Sequence, residues 1–184
     1  MRIVAGKHRG ARLVAPEGLD VRPTSDRARE ALFSMLTSGR FGEVLRGHLV
    51  LDLFAGTGAL GLEALSRGAE HVVLVENDRR AVAAIRANIA KLRAGGHAMV
   101  RDADAVSFNE RAVSPAGLVL MDPPYGSGLW SPALQAVERG GWIDADTIIA
   151  IEVARSEPLE PPDGYQVLDD RRYGAARLVL LRHG

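Results

Sequence analysis

The sequence predicts an α/β fold: a doubly wound, mostly parallel sheet of about seven strands with helices on both faces, preceded by a small N-terminal hairpin and a helix. Three observations carry this prediction. The apolar runs Leu49–Phe54, Val72–Val75 and Leu118–Met121 are short and unbroken, as strands buried on both faces of a parallel sheet are. Segments with helical periodicity alternate with them. A glycine-rich turn, Gly56-Thr57-Gly58-Ala59-Leu60-Gly61, directly follows the first run and opens a helix.

Taken in order, Met1 to Pro16 place the apolar pairs Ile3-Val4 and Leu13-Val14 around Gly6 and Gly10, the pattern of a small basic hairpin. Arg22-Pro23-Thr24 leads into a helix that begins near Asp26, in which Ala28, Ala31, Leu32, Met35 and Leu36 recur at helical spacing and Gly39 supplies a stop. Residues 1–24 are thus read as a basic hairpin and arm on a single domain spanning 1–184. After the second run, Val82, Ile85, Ile89 and Leu92 mark one face of a helix capped by Asp78. Ser131-Pro132 opens another helix, which Gly140 ends. Ala98–Arg101, Thr147–Glu152, Gln166–Asp169 and Leu178–Arg182 complete the strands, and Glu157 to Gly164, rich in proline and acids, is a loop.

With 184 residues, 47% hydrophobic and 25% charged, the chain is large enough to bury a core and unlike disordered or collagenous sequences. The absence of cysteine removes disulfides, thiolate zinc sites and cysteine nucleophiles, and fits a reducing cytoplasm. No stretch reaches the ~18 uncharged apolar residues of a membrane span, and Met1 to Leu13 lack a signal-peptide core. A soluble, unprocessed cytoplasmic monomer without a membrane partner is expected. The five histidines are scattered and suggest no metal site. The net charge is +0, yet Arg2, Lys7, Arg9 and Arg12 open the chain without a carboxylate, and Arg171, Arg172, Arg177 and Arg182 follow the last acid, Asp170. Basic ends around an acidic middle point toward RNA or DNA only in company with other signals.

Those signals lie at the strand ends. Gly56, Gly58 and Gly61 match G-x-G-x-x-G, and Glu76 follows about 20 residues later, where an acid would hold ribose hydroxyls. The same spacing describes a nicotinamide-dinucleotide site, so an oxidoreductase is a rival reading. Asp52 separates the two. A carboxylate at the mouth of the first strand crowds a pyrophosphate but suits the ammonium and sulfonium of S-adenosylmethionine. Asp104, beyond the third strand, is placed to reach the adenine amino group, although it or Asp102 can equally cap a loop.

Asp122-Pro123-Pro124-Tyr125 follows the fourth strand, at the carboxyl edge where open α/β sheets bind ligands. Two prolines stiffen the loop and leave carbonyls that point outward. If Asp122 and the Pro123 carbonyl accept the two N–H bonds of an exocyclic amine, its lone pair is turned toward a methyl donor, while Tyr125 stacks on the base. A proline turn with a buried tyrosine is the plainer alternative. An adenine N6 amine on DNA or RNA would fit the same loop as a guanine N2 amine.

The chain resembles the Rossmann-like class I methyltransferases that modify exocyclic amines, through DLFAGTG, VLVEND and DPPY. More narrowly, MRIVAGKHRGARL, RPTSDRAREALFSML, LDLFAGTGALGLEALSRGA and MDPPY, in this order, resemble the RsmD-type bacterial family. That resemblance implies S-adenosylmethionine-dependent methylation of guanine N2 in small-subunit (16S) ribosomal RNA, at guanine 966, within an assembled or partly assembled 30S particle. It implies cofactor contacts from Asp52, Gly56, Gly58, Glu76, Asn77 and Asp104. It further implies target-base contacts from Asp122, Pro123 and Tyr125, and RNA contacts from Arg2, Lys7, Arg9, Arg12, Arg22 and Thr24. Tyr125 stands where some relatives have phenylalanine, and Asp104 where some have another polar residue.

Overall fold

The computed structural model describes residues 1–16 and 26–184. Arg22, Pro23 and Thr24 lie outside the described residues. After the N-terminal segment come α1 (Asp26–Leu36), β1 (Leu49–Leu53), α2 (Ala59–Ser66), β2 (His71–Glu76), α3 (Arg79–Lys91), β3 (Ala98–Asp102), β4 (Leu118–Met121), α4 (Trp130–Arg139), β5 (Ile148–Ala154), β6 (Tyr165–Tyr173) and β7 (Ala176–His183). The strands form one seven-stranded sheet in the order β3-β2-β1-β4-β5-β7-β6. Strands β1 to β5 are parallel, and β7 runs antiparallel between β5 and β6. The chain runs outward from β1 through β2 to β3 and then crosses back to β4 on the other side of β1, so the crevice beyond the carboxyl ends of β1 and β4 is the switch point of the sheet.

Alternate residues of the central strands feed two cores. Val50, Leu118 and Ile148 pack with Phe33, Leu62 and Ile85 on one face. Leu51, Val119 and Ile149 pack with Leu134, Val137 and Trp142 on the other. Every residue of β4 is buried, which explains its unbroken apolar run. Helix α3 is capped as its sequence predicts: the Asp78 carboxylate accepts from Arg80 N and Ala81 N at 2.8 and 3.2 Å.

Several strand ends differ from the sequence expectation by one or two residues, and three boundaries depart for an identifiable local reason. Strand β1 ends at Leu53 because Phe54 turns out of it at φ 60, a left-handed conformation that bulky residues rarely adopt. Helix α4 begins at Trp130 without a side-chain cap, placing Pro132 inside its first turn, where the missing N–H costs nothing. Strand β6 runs from Tyr165 to Tyr173, longer than expected; as an edge strand with exposed positions it has no apolar run to announce it.

Residues 1–14 do form a hairpin, closed by a single bridge between Arg2 and Arg12 rather than a ladder. Backbone bonds from Ile3 N to Ala11 O (2.9 Å) and Leu13 N to Met1 O (3.1 Å) hold it. Buried polar side chains dock it on the domain. Glu63 of α2, fully buried, accepts from Val4 N (2.7 Å), Ala5 N (3.0 Å) and Arg67 Nε (2.7 Å), and lies 3.8 Å from Nε of the equally buried Arg29 of α1. Arg29 in turn donates to Arg2 O at 2.6 Å. Asn88 of α3, also fully buried, accepts from Val14 N (2.7 Å) and donates to Val14 O and Thr57 O (3.0 Å each).

Helix α2 lies unusually close to the sheet. A Cβ at Gly61 would fall 2.8 Å from Val72 Cγ2, 2.9 Å from Asp52 Oδ2 and 3.0 Å from Leu74 Cδ2. Two stability predictions follow from these contacts. Gly61→Ala gains about 1 kcal/mol of helix propensity but overpacks the α2–sheet seam at a cost of ~1–3 kcal/mol, so the urea midpoint should fall with an unchanged slope. A higher midpoint, the usual result for Gly→Ala in a helix, would contradict the tight seam. Glu63→Ala strips the acceptor from two hairpin amides and the counter-charge from the buried Arg29, and should cost about 3–5 kcal/mol. The same variant should expose residues 1–14 to limited proteolysis; an intact protease-resistant N-terminus would refute the docking role.

Candidate active site at the carboxyl edge of the sheet

The glycine-rich turn leaves β1 through Phe54, bonds back to β2 by Ala55 N to Val75 O (3.1 Å), and enters α2 at Gly58. Gly56 and Gly58 both have positive φ, 56° and 77°, which the turn requires. A Cβ at Gly56 would meet nothing within 4 Å, so the outer side of the turn is open; one at Gly58 would press Leu74 at 3.1 Å.

Two carboxylates grip this turn. Asp52, on β1 and completely buried, accepts from Gly61 N at 2.8 Å through Oδ2. Its other oxygen, Oδ1, is buried and accepts no hydrogen bond among the described residues. Burial therefore favours its neutral form, holding the carboxyl up at about 8, and the nearby charges of Asp122 and Glu76 push the same way against the Gly61 bond. Glu76, at the end of β2, accepts from Gly56 N (2.7 Å), Asn77 N and Asp78 N (2.9 Å each). Three of its roughly four acceptor positions are thus used, leaving one. The Gly56 amide, which a dinucleotide site would direct at a phosphate, is already committed to a carboxylate.

The loop after β4 completes the edge. Asp122, partly exposed, donates its N–H to Leu53 O at 3.5 Å, which seats it beside the end of β1. Pro123 is buried and its carbonyl accepts no hydrogen bond among the described residues, whereas the Pro124 carbonyl takes the Ser127 hydroxyl at 2.5 Å. The Tyr125 hydroxyl donates to Glu152 Oε1 at 2.8 Å. Glu157 clamps the loop further by accepting from Gly126 N (2.8 Å) and Ala154 N (3.2 Å).

The structure therefore brings Asp52, Gly56, Gly58, Glu76, Asp122, Pro123 and Tyr125 to one sheet edge. Asn77 is exposed at the β2–α3 turn. Asp104 caps the short 3₁₀ turn Ala105–Ser107, accepting from Val106 N at 3.0 Å, and Asp102 is exposed at the end of β3. Arg2, Lys7, Arg9 and Arg12 are exposed on the docked hairpin, while Arg22 and Thr24 lie outside the described residues. Sequence reasoning missed Glu152, a 6% exposed carboxylate that fixes the tyrosine. Its signal was available as the single acid in the apolar strand Ile-Ile-Ala-Ile-Glu-Val-Ala. It also missed Asn88, which joins the glycine turn to the hairpin. Neither residue stands in a recognisable spacing. No group of three or more His, Cys, Asp or Glu positioned for a metal occurs among the described residues. None of their helices is long and apolar enough to cross a membrane.

Comparison with known proteins identifies the family and the fold. A family model described as conserved hypothetical protein 95 matches residues 1–182. Ribosomal RNA small subunit methyltransferase D of Escherichia coli K12 is 40% identical over 152 residues, covering 83% of this chain and 74% of that protein. The protein of the same name from Haemophilus influenzae is 29% identical over 186 residues, covering 100% and 94%. The solved structure of Escherichia coli yhhF superposes with a TM-score of 0.85 at 36% identity, covering 100% of this chain and 97% of that one. A family match over nearly the whole chain, on a sheet of class I methyltransferase topology, shows that the chain belongs to the RsmD-type methyltransferase family.

Proposed function

We propose that this protein transfers a methyl group from S-adenosylmethionine to the N2 amine of a guanine in 16S ribosomal RNA, the residue numbered 966, within an assembled or partly assembled 30S particle. The observation that carries this reading is the meeting, at one sheet edge, of an acid-gripped glycine turn and a stiff Asp-Pro-Pro-Tyr loop. The names of the relatives supply the RNA class.

The residues fit the donor. Asp52 Oδ1 is a buried acceptor without a donor, an arrangement that costs about 1–3 kcal/mol until an ammonium satisfies it. Glu76 retains one acceptor position for a ribose hydroxyl. Glu76 and Asp122, joined by Asp52 once a bound cation draws off its proton, make a field that favours a cation and opposes a pyrophosphate, which separates this reading from a nicotinamide enzyme. Asn77 and Asp104 flank the same edge as further adenosine contacts.

When bound, S-adenosylmethionine supplies a methyl group already activated by a sulfonium, so this chain needs neither nucleophile nor metal. Asp122 and the Pro123 carbonyl accept the two amine hydrogens and orient the nitrogen lone pair. Tyr125, its hydroxyl held by Glu152, presents a fixed ring for the base to stack on. Asp122 acts as an orienting acceptor; the aminium product loses its proton readily without an obligate base.

Asp122→Ala should lower methyl transfer into undermethylated 30S particles by about 10²–10³-fold while S-adenosylmethionine still binds. Nucleoside mass spectrometry of the wild-type product should show N2-methylguanosine; N6-methyladenosine would replace this reading by the adenine one, and full activity of the variant would remove Asp122 from the chemistry. Asp52 predicts a proton linkage. With its carboxyl at about 8, the free protein is protonated there at pH 7, and the incoming ammonium favours the charged form, so binding should release a proton. Affinity should rise with pH and level off above about 8. In the free protein the native state holds a proton that the unfolded chain, titrating near 3.8, has lost, so this group's contribution to stability falls from about pH 4 to about pH 8. Calorimetry in buffers of different ionisation heat should find proton release for the wild type and none for Asp52→Asn; equal values would sink the Asp52 contact.

A further inference from the structure

The basic residues noticed at the chain ends are not equivalent in the fold. Near the C-terminus, Arg171 and Arg177 are held by Asp169 and Asp170 at 3.0 and 2.8 Å, and Arg182 turns to Phe41 O at 3.3 Å. Those three cations are neutralised or used in packing, and the fourth, Arg172, is exposed. The middle of the chain, in turn, is not uniformly acidic. From Arg79 to Arg101 there is no carboxylate, and the stretch carries Arg79, Arg80, Arg86, Lys91, Arg93 and Arg101.

Most of that stretch is helix α3, whose solvent face exposes Arg79, Arg86 and Lys91 with the small residues Ala83, Ala87 and Ala90 between them. Arg79 and Arg86 make no ion pair or side-chain hydrogen bond with any described residue. They are seven residues apart, hence on one face and about 10 Å apart along the axis. Arg79 is also misplaced for helix stability, since a cation in the first turn opposes the helix dipole. Arg80 beside it is compensated by Asp78 at 3.1 Å, but Arg79 is not.

The fold then packs a second carboxylate-free segment against the same helix. Lys91 Nζ donates to Arg12 O at 2.7 Å, and Asn88 binds Val14 N and O, so the hairpin carrying Arg2, Lys7, Arg9 and Arg12 packs along the same helix. Two segments more than 60 residues apart in sequence, neither with an acid, are brought side by side in a chain whose net charge is +0. Concentrating like charges in this way destabilises the folded state through self-repulsion, and it is the electrostatic footprint of a polyanion site.

We infer that the solvent face of α3, together with the hairpin docked beside it, is a phosphate-binding strip for the RNA substrate, with Arg79 and Arg86 as contacts additional to those of the hairpin. This rests on the RNA methyltransferase reading for the identity of the polyanion. Arg79 follows β2 at the carboxyl edge, so the strip begins beside Glu76 and leads away from the site. The RNA backbone is thereby held on the flank while one base enters the acid-lined edge. The exposed alanines let the backbone approach the helix closely.

The test uses the full chain, protein-free 16S ribosomal RNA and a series of salt concentrations. Each phosphate contact contributes about 0.7–0.9 to the slope of log affinity against log salt, so the double variant Arg79→Gln, Arg86→Gln should reduce the slope by about 1.4–1.8. Its S-adenosylmethionine affinity should match the wild type, which also reports an intact fold. Arg79→Lys, Arg86→Lys keeps the charges and should keep the slope. Arg111→Gln, Arg139→Gln, which removes two exposed cations elsewhere, should also leave it unchanged. An unchanged slope in the first variant, or an equal loss in the last, overturns the strip. If wild-type protein methylates the RNA while the slope is unmoved, the strip alone falls; if the slope moves but no methyl transfer occurs on any ribosomal RNA substrate, the strip stands and the assigned reaction falls.

Discussion

Much of the carboxyl edge depends on how closely α2 can lie against β1 and β2. Only the missing side chain of Gly61 permits that approach, and the approach creates the bond from Gly61 N to Asp52 Oδ2. The helix then seals Asp52 from water. A carboxyl group that would titrate as an ordinary surface acid becomes one that resists ionisation and has one oxygen left to satisfy. A single packing constraint in the sequence thus sets the electrostatic character of the site. The companion grip of Glu76 on Gly56 fixes the other side of the turn, so both walls of the proposed donor site are held by backbone amides rather than by mobile side chains.

The same helix carries the N-terminal hairpin at its other end. Glu63 and Ser66 take up the amides of Val4, Ala5 and His8, and Asn88 spans from Val14 to the Thr57 carbonyl inside the glycine turn. Buried ionic groups of this kind add little stability relative to apolar packing, because desolvation offsets the attraction. Their effect here is positional. A hydrophobic contact would let the hairpin slide, whereas directional bonds to two charged or amide side chains specify one register. The hairpin and the glycine turn are therefore parts of one bonded assembly, with Asn88 in contact with both.

Legibility in the sequence tracks how local each cause is. Buried parallel strands announce themselves as unbroken apolar runs, and the cap at Asp78 and the turn at Gly56 and Gly58 are set by residues within a few positions. The edge strand β6 is different: half its environment is solvent, so its composition resembles a loop. Phe54 reads as strand because nothing in its side chain signals the left-handed backbone that the turn imposes. Glu63 and Asn88 look like ordinary solvated helix positions, since their partners lie about 60 and 70 residues away and only the tertiary fold buries them. Glu152 was visible as an anomaly in an apolar strand, yet its meaning required knowing that β5 lies next to β4 and so beneath Tyr125. Charge summed over the whole chain hid the distribution that matters, because Arg171 and Arg177 carry their own acids whereas Arg79 and Arg86 of α3 do not.

That distribution resolves an apparent conflict in the proposed reaction. A donor with two positive centres calls for an acidic pocket, and an RNA acceptor calls for a basic surface; one uniform field cannot serve both. With a Debye length of about 8 Å in physiological salt, the two demands are best met when the opposing charges face separate regions of solvent roughly that distance apart. The fold does so by topology. Strand ends β1, β2 and β4 deliver Asp52, Glu76 and Asp122 to the crevice, while α3 and the hairpin carry their cations outward on the flank. The phosphate backbone is attracted to the side of the site, repelled from its centre, and left with a neutral base as the part of the RNA that can enter. A net charge of zero is then compatible with a nucleic-acid partner, because the proposed acidic and basic surfaces cancel in the sum.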